Sequence, residues 1–280
     1  MSLLNAILNI VGVLLWIGWR TFTPATTNLT PGLSRVSIVR PAETITGWHL
    51  GPLLGLLALL GIRAVFYDTI ASSVGWSPTL PLTVIAPAFR GDSLVRMLVF
   101  SVMSFVFSLA AFIFSLLLLS ILCRKLPDSD TWPRWVRLNL GLLGRLHWSL
   151  KLLVPFVGIT LLWAALQPLL VRLGIIPKPA TTALLWEQAS IIGLCAYLDW
   201  KYLLIGLLVL HAINSYVYLG RSPVWAFVNH CARALLRPFN PLPLKLGRID
   251  LAPLIAGAII VALAQWLPGA FQRLYLGLPH

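Results

Sequence analysis

Residues Met97 to Cys123 run for 27 positions without a charged side chain. As a helix that stretch would be about 40 Å long, more than the roughly 30 Å hydrocarbon core of a bilayer. Such a run confines the fold to architectures that satisfy their own backbone polar groups within lipid, and for apolar runs of this length that means helices. The rest of the chain has the same character. Of 280 residues, 59% are hydrophobic and 10% charged, against about 25% charged in a soluble domain. Five further apolar stretches predict spanning helices, roughly 3–19, 48–66, 152–171, 202–219 and 251–267. The N-terminal one lacks a basic leader and a cleavage pattern, so it reads as a retained helix.

The apolar stretches come in a repeated setting. Pro133-x-Trp135-x-x-x-Asn139 returns about 90 residues later as Pro223-x-Trp225-x-x-x-Asn229, and Pro155 followed by Gln167 returns as Pro253 followed by Gln265. Each copy reads as a long apolar helix, a basic amphipathic segment and a proline-started apolar helix. Self-similarity at a fixed period marks an array of like units. The expected organisation is therefore all-α and polytopic, about six helices in tandem hairpins with basic interfacial segments. The units are 1–90, 91–180 and 181–280, the first of them a degenerate copy through Leu50-Gly51-Pro52 or an unrelated hairpin.

The net charge of +13 comes from 21 Lys and Arg against 8 Asp and Glu. In a membrane chain this points to anionic headgroups and the positive-inside rule, not to nucleic acid. Most of the basic residues follow the first, third and fifth apolar stretches. Those segments are expected in the cytoplasm, with both termini outside, and Arg63 is assigned to the opposite edge. Arg134, Arg137 and Arg145 share one helical face in the earlier segment, and Arg233 and Arg237 do so in the later one, followed by Arg248. Two readings stay open: a platform in the headgroup plane, apolar side down, that binds lipid or protein, or packed connecting helices.

Within the apolar stretches a few polar groups stand out. Ser101, Ser104, Ser108 and Ser115 form a small-residue face suited to close helix packing. Gln167 and Gln265 occupy matching places and could bond each other. His211 and Asn214 are intramembrane polar candidates. Asp199 and Lys201 are placed in water by a helix starting near Tyr202, with Tyr197, Trp200 and Tyr202 as an interfacial belt. Cys123, Cys195 and Cys231 show no paired spacing, which supports neither disulfides nor a metal site. No catalytic motif is present, so neither an enzyme nor a cofactor is expected.

Asn214 to Gly220, Pro223-Val-Trp225, Ala232 to Pro238 and Gly247-Arg-Ile-Asp250-Leu-Ala-Pro253 resemble the YggT family of integral membrane proteins. The resemblance covers about 212–270 well and about 95–170 more weakly, where no Asp precedes Pro155. It implies a bacterial inner-membrane or plastid-membrane protein, tied to osmotic or cation tolerance, cell division and nucleoid placement, or cytochrome maturation. It singles out Asp250, for which capping the last helix is a sufficient role. The expected function is a non-enzymatic scaffold or assembly factor in the bacterial plasma membrane. Its partners would be anionic lipids, other membrane proteins and a possible second copy of itself. A cation or osmolyte channel or transporter is the alternative.

Overall fold

A computed structural model describes residues 2–22, 50–126, 130–217, 222–239, 245–246 and 249–278. The expected arm at 20–48 lies almost wholly outside them. Helices α1 (Ser2–Phe22), α2 (Gly51–Val74), α3 (Leu94–Leu122) and α5 (Trp148–Arg172) are long and apolar. Between α3 and α5 lies the short amphipathic α4 (Thr131–Leu140). Then come α6 (Thr182–Cys195) and α7 (Trp200–Tyr216), joined by a 3₁₀ turn, followed by the amphipathic α8 (Pro223–Leu236) and the long α9 (Ala252–Leu276). Strands β1 (Lys245–Leu246) and β2 (Ile249–Asp250) pair as a minimal antiparallel ladder before α9. Six helical segments are long and apolar enough to cross a membrane, α6 and α7 counting as one. The chain is an all-α polytopic membrane protein.

Helix α3 is the post around which the others pack. Its buried side chains include Met97, Phe100, Met103, Phe114 and Leu117, and it touches α1, α2, α4, α5, α7 and α8. The serine face does two different things. Ser101 Oγ donates to the Leu60 carbonyl of α2 at 3.0 Å, and Ser104 Oγ accepts from Asn5 and Asn9 of α1 at 3.1 and 3.0 Å. Ser108 and Ser115 instead bond back to the carbonyls four residues earlier in α3.

Arg63 is not at an edge. Helix α2 continues to Val74, which puts Arg63 near its middle, only 2% exposed. Its guanidinium donates to Asn9 Oδ1 at 2.6 Å and to Asn5 Oδ1, and lies 5.3 Å from the Tyr67 ring centre and 5.9 Å from that of Phe100. Tyr67 OH donates to Asn5 Oδ1 at 3.3 Å. A charge in hydrocarbon requires partners on neighbouring helices, and here two amides and two rings supply them. The cluster ties α1 to α2 and α3.

Two other boundaries differ from expectation. Pro155 lies inside α5, because the Trp148–Leu153 segment is already helical, whereas Pro52 and Pro253 do sit in the first turn of their helices. The fifth span does not start at Tyr202. It starts at Thr182, whose predecessor Thr181 caps it by accepting from Leu184 N at 3.1 Å, and runs to Ser215. Trp200 Nε1 donates to the Phe114 carbonyl at 3.1 Å and Tyr197 OH to the Leu152 carbonyl at 2.5 Å. These two aromatics therefore bind helices to one another and form no belt at the surface; Tyr202 alone of the three is exposed.

Helices α5 and α6 approach most closely at Gly193, where an added Cβ would stand 2.8 Å from the Phe156 carbonyl oxygen and against Thr160 Oγ1. Backbone cannot give way as a side-chain tip can. Gly193→Val is expected to destabilise the bundle by about 1–3 kcal/mol, read as a lowered thermal unfolding midpoint in detergent, whereas Gly206→Ala, inside α7 with open space around it, should leave the midpoint the same or raise it slightly.

Candidate functional site: a basic cavity at one end of the bundle

The basic segment of the first copy forms α4 and then turns. Gly141 ends the helix with φ +57°, a conformation that costs glycine little. The chain continues through a 3₁₀ turn over Gly141–Arg145. The turn explains how Arg134, Arg137 and Arg145 come to line one cavity although a single helix does not carry all three. The cavity measures about 880 Å³. Arg20 from the end of α1, Ser120 and Arg124 from the end of α3, and Lys151 from the start of α5 complete its walls.

The missing Cβ at Gly141 leaves room for the Arg20 guanidinium, whose Nη2 would otherwise be 2.8 Å away. Arg20 Nη2 donates to the Asn139 carbonyl at 3.4 Å, Arg137 Nη2 to the Leu126 carbonyl at 3.3 Å, and Lys151 Nζ to Ser120 Oγ at 2.7 Å. The acceptors in these three bonds are neutral. Among the described residues, no carboxylate lines the cavity. The ion pair found among them, Arg96 with Asp92 at 2.5 Å, lies in and just before the first turn of α3, at the helix's other end. There the Arg96 hydrogen bond holds the Asp92 carboxyl below its ordinary range.

Much of the apolar side of each amphipathic helix packs on protein. In α4, Pro133, Val136 and Leu140 are buried, the latter two in the core cluster around α3. In α8, Val228, Cys231, Ala232 and Leu236 are buried against α3, α7 and α9. Of the two readings left open by the sequence, packed connecting helices is the one these contacts favour: the buried apolar residues rest on the ends of α3 and α7. The charged faces are what remain open.

Arg233 does not join the first cavity. It lines a second one, about 490 Å³, between α4 and α8, with Asp130, Asn229 and His230, under a Trp132–Phe227 ring contact of 6.1 Å. Arg237 is exposed in the turn after α8. Arg248 and the side chain of Asp250 fall outside the described residues. The first residue flanking α9 is Leu251, which places Asp250 one position further out, on β2. His211 is held by Asn229 Oδ1 at 2.8 Å, a bond between α7 and α8; Asn214 is half-buried near the end of α7. The two glutamines are not brought together: Gln167 is buried against a pocket with Trp163 and Tyr275, while Gln265 is exposed on α9.

Three features had no signal strong enough to be found in the sequence. Arg63 with Asn5 and Asn9 is one. The closure of the basic cavity by Arg20 and Lys151, distant in sequence from α4, is another. The third is a thiol pair. Cys123 and Cys231 lie 108 residues apart, yet their sulfurs are 2.6 Å apart in the structure. The Cys123 contact, and burial after it, push the Cys231 thiol well above its ordinary range, which makes it a poor nucleophile. A mild oxidant applied to the purified protein is expected to join them within one chain, removing two maleimide-reactive thiols in the intact mass while Cys195 remains free.

Residues 191–271 match the family model described as CCB3/YggT. No curated protein and no solved structure matches the chain. The matched stretch holds the end of α6, all of α7 and α8, and most of α9, the part of the sequence where the resemblance is fullest. The chain is accordingly a multi-pass membrane protein whose residues 191–271, over its last three helices, are similar to the CCB3/YggT family.

Proposed function

We propose that the protein is a non-enzymatic scaffold or assembly factor of a bacterial plasma membrane, with its basic end in the cytoplasm and both termini on the other side. One observation carries this reading: six basic side chains, Arg20, Arg124, Arg134, Arg137, Arg145 and Lys151, surround one cavity, and among the described residues that line it none is acidic. Like charges at such spacing repel unless anions lie among them. At the edge of a bilayer the abundant anion is the phosphate of a lipid headgroup, and arginine binds it with paired, charge-assisted hydrogen bonds. Packing supports the scaffold reading too. The α4 and α8 helices are braced against the bundle, so their charged faces form a firm surface on which headgroups or an acidic partner would rest. The second cavity, with Arg233, provides the partner-facing half of that surface.

Each basic residue near an anionic surface contributes about 1 kcal/mol. Changing Arg134, Arg137 and Arg145 together to Gln is therefore expected to weaken anionic-lipid retention by about 3 kcal/mol, on the order of a hundredfold. Native mass spectrometry of protein extracted from vesicles of mixed anionic and zwitterionic lipid would read this as loss of the anionic adducts. Equal retention by the triple variant would overturn the lipid assignment. Separately, neutralising Arg233 and Arg237 should abolish capture of a crosslinked partner while membrane insertion stays normal. Unchanged capture would argue against α8 as the partner surface.

A further inference from the structure

The connection between α2 and α3 does not stay at the rim of the bundle. Residues 76–90 fold as an extended hairpin, with Leu80 N donating to the Pro87 carbonyl at 3.1 Å and Phe89 N to the Pro78 carbonyl at 2.8 Å. Phe89 and Leu80 are buried in the main core. The hairpin tip, Pro81 to Val84, shares a cavity with Phe107, Ala110, Ala111 and Phe114, the middle of the charge-free run of α3. Non-helical backbone at that depth is tolerated only where protein covers it or where it lines a space that admits water.

The cavity has a volume of about 110 Å³, enough to admit water. Its walls are apolar apart from Thr83, Cys195 and Asp199. Asp199 is the one charged residue lining it; the residue is exposed at the helix surface as well as to the cavity, and among the described residues its carboxyl has no ion-pair partner. The groups around it are few. Lys201 is two residues further along the helix, with its ammonium 4.9 Å from the Tyr202 ring centre. Cys195 lies one turn back, and Tyr275 of α9 packs in the same cluster as Cys195 and Val84. The lining residues from α3, α5 and the hairpin tip bring no titratable group.

We propose that Asp199 is a proton-binding site within the membrane, its carboxyl opening onto the cavity beneath the hairpin tip. In the protonated form the group is neutral, as hydrocarbon surroundings demand. On release the O–H bond breaks, the electron pair stays on the carboxylate and the proton passes to water in the cavity. A metal cation fits less well, since the side chains lining the cavity offer only this carboxylate and the Thr83 hydroxyl as oxygen ligands, where hard cations take six or more. This inference is independent of the scaffold reading.

The test uses the full-length wild-type protein in lipid vesicles and the apolar reagent dicyclohexylcarbodiimide. A protonated carboxyl in apolar surroundings adds to it and rearranges to a stable N-acylurea, with nothing lost, and peptide mass mapping locates the adduct without need of a variant. The expected result is an adduct on Asp199 whose rate of formation falls several-fold from neutral to alkaline pH and is indifferent to sodium or potassium. Absence of the adduct in folded protein, a rate that does not change with pH, or protection by either metal ion at fixed pH would each overturn the proposal. Asp199→Asn, where it folds, should lose the adduct and keep the elution profile of the wild type.

Discussion

In hydrocarbon a polar group has no water to fall back on, and this constraint accounts for most of the specific contacts in the bundle. Arg63 takes its partners from α1, Ser101 takes the Leu60 carbonyl of α2, Trp200 that of Phe114 in α3, Tyr197 that of Leu152 in α5, and Lys151 the hydroxyl of Ser120. Each of these bonds joins two helices. Apolar packing alone gives helices little preference for one another over lipid, so the polar contacts, together with close approaches such as that at Gly193, are what select this arrangement from the many that would bury the same leucines. The dependence is mutual: helix α3 can be almost uncharged because its neighbours bring their polar groups to it.

The long helices were legible in the sequence because a span is announced by the absence of charge over a known length. Their ends were less so, for a reason that Asp199 and Arg63 illustrate. A lone charge in an apolar run resembles a boundary when only one segment is read. Arg63 becomes an interior residue because the neighbouring helix supplies the amides of Asn5 and Asn9, and Asp199 falls within a span because the helical segment runs on through it from Thr182 to Ser215. The thiol contact between Cys123 and Cys231 was hidden for the same reason: it exists between segments and has no local pattern. The matching positions of Gln167 and Gln265 suggested a contact the fold does not make, because equivalent places in two like segments need not face each other.

The basic segments show how a sequence pattern can be plain while its environment stays open. Arg134 and Arg137 lie on α4 and Arg233 on α8, each helix with an apolar face buried, while Arg145 and Arg237 fall in the 3₁₀ turns that follow. The periodicity that reveals an amphipathic helix says only that its two sides meet different surroundings; it cannot say whether the drier side meets lipid or protein. Here the ends of α3 and α7 cover it. That choice matters for function, since a helix floating in the headgroup region gives mobile charges, whereas a helix braced by Val136, Leu140, Val228 and Leu236 presents them in a fixed arrangement. Ordering the arginines in advance removes part of the entropy cost that a ligand would otherwise meet on binding.

The basic cavity and the small cavity at Asp199 are both walled by α3 and α5. Lys151 closes the basic cavity and is bonded to Ser120 of α3; the next residue, Leu152, accepts from Tyr197, two positions before Asp199. Helices α3 and α5 thus form walls of both spaces, with the same residues fixing their separation. Contiguity of this kind transmits an effect only if the shared element has two arrangements. The contacts restrict where such arrangements could arise. Gly193 locks α5 to α6 at close range, and the Arg63 cluster locks α1 and α2 to the other half of α3. The start of α5 is pinned on both sides, to α3 through Lys151 and Ser120 and to Tyr197 through the Leu152 carbonyl, so the residues that bound the basic cavity also fix the turn that carries Asp199.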